Sequence, residues 1–137
     1  MRKIIFSCFL LLLLILPGCA KKVDLGPGYD RTSKRFLQTM RWQNFEEAAT
    51  FLKPEAREKL LANFAENKDL HIAEANYLYS RLTGEAGTAE SKLQLKYYIL
   101  PSTRIREWTW EMEWRLLPLD TKQRGTWQIQ QEPPSFP

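Results

Sequence analysis

The side chains able to carry acid–base, nucleophilic or metal chemistry in this chain are few and scattered. His71 is the only histidine. It follows the polar stretch Asn63 to Asp69 and opens an expected strand, which suits an edge or surface position. Asp30, Asp69 and Asp120 fall in expected caps or loops, and Asp24 in an expected tether. A general base must be held within hydrogen-bond reach of the proton it removes, and none of these is so held. There is no HExxH, no Cys/His cluster and no glycine-rich phosphate loop. The reading is therefore no catalytic residue, no metal ligand set and no cofactor. Two groups remain. Glu107, Glu111 and Glu113 alternate with the rings of Trp108, Trp110 and Trp114. Period two puts the carboxylates on one face and the rings on the other. The glutamates then form a solvated face that pairs with lysines. The rings either line a ligand pocket or fill the core. Burying each removes roughly 150–250 Å² from water. At ~25 cal/mol per Å² the three stabilise by at most about 10 kcal/mol gross, so the core reading leads.

The stripe needs a sheet. Leu93, Leu95, Tyr97 and Ile99 face one way, and Glu90, Lys92, Gln94 and Lys96 the other. With a turn at Pro101-Ser102 and Leu100 opposite Thr103, Leu95 meets Trp108 and Leu93 meets Trp110. On the wet side Lys96 meets Glu107 and Lys92 meets Glu111. Faces and charges agree in this register. Leu70 to Leu82 reads as a strand with broken alternation, followed by a turn over Thr83 to Thr88. Thr126 to Gln130 forms the last strand, with Trp127 and Ile129 facing in. Residues 133–137 read as a flexible tail.

Helical spacing precedes the strands. Tyr29, Ser33, Phe36, Leu37 and Met40 make one apolar face, with Asp30 as expected N-cap. Arg31, Lys34, Arg35, Gln38 and Arg41 lie opposite and make a cationic stripe, a candidate membrane or partner face. Asn44 with Glu47 is close to a capping box, and Pro54 suits the first position of a third helix. The fold class is α+β: two to three N-terminal helices packed on a curved, cone-like four-stranded antiparallel sheet.

The N-terminus is an address. Met1-Arg2-Lys3 is basic, and Ile4 to Leu16 is apolar except for Ser7 and Cys8. Thirteen helical residues cover about 20 Å, short of the ~30 Å hydrocarbon core, so a signal-peptide h-region fits better than a span. Leu16-Pro17-Gly18-Cys19 resembles the lipobox of bacterial lipoproteins, with Pro17 where Ala or Ser is usual. The resemblance implies a diacylglycerol on the Cys19 thiol, cleavage before Cys19 and acylation of the new N-terminus. Several acyl chains hold such a protein on a membrane. Ala20 after the cysteine implies the outer membrane, facing the periplasm. Residues 1–18 are then a signal peptide, 19–28 the lipidated cysteine and tether, and 29–132 the α+β domain. The formal charge is +4; without Arg2 and Lys3 the balance is 18 basic against 16 acidic residues, or +2. So weak a balance does not argue for nucleic acid. The 119 residues after the cleavage point hold one cysteine, which excludes an intramolecular disulfide.

The domain resembles the nuclear-transport-factor-2-like superfamily in its bacterial lipoprotein variants. The resemblance lies in Phe36-Leu37, Trp42-Gln43-Asn44-Phe45-Glu46-Glu47-Ala48, Leu52-Lys53-Pro54-Glu55-Ala56-Arg57 and Gly125-Thr126-Trp127-Gln128-Ile129. It implies helices packed into a curved sheet. It leaves function open, since members include isomerases, dehydratases, binding modules and domains without chemistry. The leading expectation is a membrane-anchored, non-enzymatic interaction domain with an envelope protein partner. The alternative is a small apolar ligand-binding or isomerase/dehydratase-like pocket protein.

Overall fold

The computed structural model describes residues 28–117 and 125–136. Three helices, α1 (Tyr29–Arg41), α2 (Phe45–Ala49) and α3 (Pro54–Phe64), precede four strands, β1 (Leu70–Leu82), β2 (Thr88–Ile99), β3 (Arg106–Leu117) and β4 (Thr126–Ile129). The strands form one open antiparallel sheet in the order β1-β2-β3-β4. The helices lie against the face that carries the tryptophans. This is the α+β order expected.

Each helix starts and faces as its residues dictate. Tyr29, Thr32, Ser33, Phe36, Thr39 and Met40 of α1 are buried. Gly28 occupies the N-cap position and Asp30 sits in the first turn, so the expected Asp30 cap is two residues too late. There Asp30 holds Lys34 at 2.8 Å. In α2 the Asn44 side chain accepts from the Glu47 amide at 3.3 Å and donates to its carboxylate at 2.9 Å, half of a capping box, while the Asn44 N–H goes to the Thr39 carbonyl. Pro54 opens α3, which buries Ala56, Leu60 and Phe64.

The β2–β3 register is the one expected: Leu95 faces Trp108, Leu93 faces Trp110, and Lys92 faces Glu111. Pairing stops at Tyr97–Arg106, so the connection is wider than a two-residue turn. Pro101 brings no N–H to a ladder there, and the Leu100–Pro101 peptide is cis. The broken alternation of β1 has a simple cause. Its pairing with β2 slips between Ile72 and Glu74 and again between Tyr77 and Tyr79. Each bulge adds one residue and flips parity. The inward set therefore runs Leu70, Ile72, then Ala75, Tyr77, then Ser80, Leu82.

Both sheet edges are partly covered. Along β4, Ile129 donates to the Phe51 carbonyl at 2.8 Å and Lys53 donates to the Ile129 carbonyl at 3.0 Å. Along β1, Gln43, held at φ 57°, acts as a one-residue strand. Its amide donates to the Leu70 carbonyl at 2.9 Å and accepts from the Ile72 N–H at 3.2 Å. Arg41 donates to the Ala75 carbonyl at 2.8 Å. Covering the first half of β1 removes a template for edge pairing.

The chain end departs from the expected flexible tail. Pro133 is buried. The Phe136 ring lies 4.6 Å from Tyr97, 4.7 Å from Phe64 and 6.2 Å from Trp108. Asn63 clamps the backbone, donating to the Pro134 carbonyl at 2.9 Å and accepting from the Phe136 N–H at 3.4 Å. The physical reason is the aromatic floor: Phe136 finds three rings to bury against, and composition alone hides that. Pro137 lies outside the described residues.

Candidate functional site

Trp108, Trp110 and Trp114 are 5%, 2% and 0% exposed. Phe64 meets Trp108 at 5.1 Å, and Phe36 meets Trp110 and Trp114 at 6.1 and 5.7 Å, all edge to face. Trp114 Nε1 donates to Ser91 Oγ at 2.9 Å, and Ser91 is itself fully buried. The stripe thus makes the core, with helix rings in the space where a pocket would open. Two buried side-chain polar atoms, Tyr97 OH and Trp110 Nε1, have no hydrogen-bond partner among the described residues.

Arg31, Lys34, Arg35 and Arg41 are all exposed on the outer face of α1. Three of the four have a partner within the protein. Lys34 pairs with Asp30, Arg35 with Glu47 at 2.8 Å, and Arg41 bonds the Ala75 carbonyl. At the end of this face Trp42 stands 77% exposed, its Nε1 donating to Gln38 at 3.1 Å. An indole so exposed adds little to the core. Sequence reasoning used Trp42 only in the family resemblance and gave it no place on this face, because it sits beyond the helical period.

The remaining candidates stay apart. His71 stacks on Tyr98 at 5.1 Å, half-buried at the start of β1. Asp69 is exposed just before it. Glu107 and Glu111 are exposed and Glu113 is half-buried, all on the wet face. A polar cleft of about 680 Å³ brings Glu90, Glu111 and Glu113 together. Each has a cation beside it: Arg81 on Glu90 at 2.5 Å, Lys92 on Glu111 at 3.0 Å and Arg115 on Glu113 at 3.0 Å. Lys96 turns from Glu107 to Glu74 at 3.1 Å across the neighbouring strand. Each carboxylate is thus occupied by a cation rather than left free to serve as an acid or base. Among the described residues no group of three or more His, Cys, Asp or Glu side chains is placed to hold a metal ion. Cys19, Asp24 and Asp120 lie outside the described residues.

A second cleft was not foreseen. It has a volume of about 580 Å³ and opens between the start of α1, the end of β1, and the Leu116–Trp127 corner. Tyr29 and Trp127 form its floor, their rings 5.3 Å apart. Leu82, 62% exposed, and the half-buried Leu116 make its walls. Its hydroxyls are engaged: Tyr29 OH lies 2.8 Å from Ser80 Oγ, and Tyr77 OH donates to the Ser33 carbonyl at 2.8 Å. Burial pushes the Tyr77 phenol far above its ordinary value, and the neighbouring Tyr29 adds to the shift. Burial raises Tyr29 as well, opposed by its bond to Ser80. Both phenols therefore keep their protons at neutral pH and act as fixed donors. Tyr29 and Trp127 were legible as inward-facing residues. The cleft lies where α1, β1, β3 and β4 meet, which a periodic reading cannot register.

No family model matches the chain, and no curated protein matches it.

Proposed function

We propose that this chain is a lipid-anchored protein of the bacterial envelope, tethered through Cys19 at the outer membrane and facing the periplasm. Its α+β domain works by contact with an envelope protein rather than by catalysis. The anchoring part rests on the basic start, the short apolar run and the Leu16-to-Cys19 box. Among the described residues no helix is long and apolar enough to cross a membrane. The observation that carries the non-catalytic part is the filled interior. Trp108, Trp110, Trp114, Phe36 and Phe64 occupy the space beneath the sheet where a substrate would lie. The contact surface is the exposed face of α1, from Arg31 to Trp42. Exposed indoles and arginines are enriched at protein interfaces.

Crosslinking in native envelopes, read by mass spectrometry, tests this. A defined partner should crosslink to residues near Arg31, Arg35 and Trp42 of the wild type. It should be lost when Trp42 becomes Ala, with the melting temperature unchanged. Crosslinks spread over unrelated cytoplasmic proteins would overturn the proposal.

A further inference from the structure

The cleft between α1 and the end of β1 shares only the rim residue Lys34 with the contact surface proposed above, and its chemistry is one-sided. The polar groups that reach it are already matched within the protein. Tyr29 and Ser80 bond each other, and Tyr77 bonds the Ser33 carbonyl. The two rim cations sit in exposed ion pairs, Lys34 with Asp30 and Arg81 with Glu90. A polar ligand would have to replace bonds the protein already makes, and an anion would find only exposed, water-screened cations at the rim, so neither gains much for the hydration it loses. What remains on offer is apolar wall: Leu82, Leu116, and the rings of Tyr29 and Trp127. Leu82 at 62% exposure leaves its wall unpaid by any packing inside the domain. A volume of about 580 Å³ falls within the range of small-molecule sites.

We propose that this cleft binds a single hydrocarbon chain of a monoacyl membrane lipid, reading the chain and not the head group. An acyl chain has the required chemistry: it is apolar along its length and asks for no donor or acceptor. The position suits such a source. Gly28, where the N-terminal segment enters the domain, lines the cleft. If Cys19 is anchored, nine extended residues hold Gly28 within about 30 Å of the membrane. The inference stands on the cleft itself and does not require lipidation.

The test uses unlipidated protein beginning at Ala20, with tryptophan fluorescence and calorimetry as readouts. The probes are palmitoyl lysophosphatidylcholine and palmitate, both below their micelle concentrations, and a shorter-chain series of each. The expected result is binding of both probes within about threefold of each other. Affinity should rise by up to about fourfold per added methylene until the cleft is filled. Leu82→Asp should weaken binding at least tenfold while melting at the wild-type temperature, because Leu82 is exposed. Arg81→Gln should leave binding unchanged. No binding by any chain length overturns the proposal. So does binding that Leu82→Asp does not alter, or palmitate binding that is tenfold tighter and lost in Arg81→Gln. Mass spectrometry of Cys19 is independent of all these outcomes, so failure here and failure of the anchoring proposal are distinguishable.

Discussion

Two tryptophans four residues apart should respond differently to the same substitution. Trp110 and Trp114 are both buried on the inner face of β3, and each meets Phe36 edge to face. Changing either to Phe removes a similar slice of ring, on the order of 50 Å², or ~1 kcal/mol at ~25 cal/mol per Å². The polar ends differ. Trp114 Nε1 donates to Ser91 Oγ in a fully buried pair. Trp114→Phe strands that hydroxyl, which costs about 1–3 kcal/mol more. Trp110 Nε1 has no partner, so Trp110→Phe removes an unpaired buried donor and gains about the same amount. Trp114→Phe should therefore destabilise by about 2–4 kcal/mol, and Trp110→Phe by about 1 kcal/mol at most. Urea unfolding reads this directly. With a slope of ~1.5 kcal/mol per M, the two midpoints should differ by more than about 1 M. Ser91→Ala should remove most of the extra penalty in the double variant with Trp114→Phe. Equal midpoints for the two single variants, or a less stable Trp110→Phe, would refute the core assignment of the stripe.

Further expectations follow from the same packing. Phe136→Ala should cost about 1–3 kcal/mol, since the ring is half-buried against Phe64, Tyr97 and Trp108; unchanged melting after removal of 133–137 would contradict the docked chain end. Stability should fall as pH rises above about 10. Unfolded tyrosines lose their protons there while Tyr77 and Tyr29 hold theirs, so the unfolded state binds fewer protons. Tyr77→Phe should flatten that alkaline limb, and a wild type with no alkaline limb would show the phenols to be ordinary. Unlipidated protein should bind vesicles rich in anionic lipid at low salt, release by about 0.3 M, and weaken when Arg31, Lys34 and Arg35 become Gln. Equal binding by the triple variant would leave the stripe as solvated surface.

The strand framework was readable because period-two alternation is a direct consequence of the pleat. The Trp108-to-Trp114 run and its facing leucines have one register that satisfies both faces, and that register is found. β1 resisted because its bulges near Ala73 and Leu78 move the inward parity twice. A bulge has no fixed residue signature in a single sequence. The chain end failed for a different reason. Pro133 to Phe136 looks like a tail until its floor of rings, supplied by three distant elements, is known. The apolar cleft lies at the meeting of α1, β1, β3 and β4, so its residues were each visible and their gap was not. The charges of α1 were legible as a stripe. Their pairing with Asp30, Glu47 and the Ala75 carbonyl depends on neighbours that periodicity does not locate.

Anchoring at Cys19 is the claim on which the proposed location and the orientation of the domain both depend. Mass spectrometry of the mature N-terminal peptide from envelope-expressed protein tests it most directly. The expected species begins at Cys19 and carries acyl chains on it. A peptide with unmodified Cys19, or one that still retains Ile4 to Leu16, would contradict it.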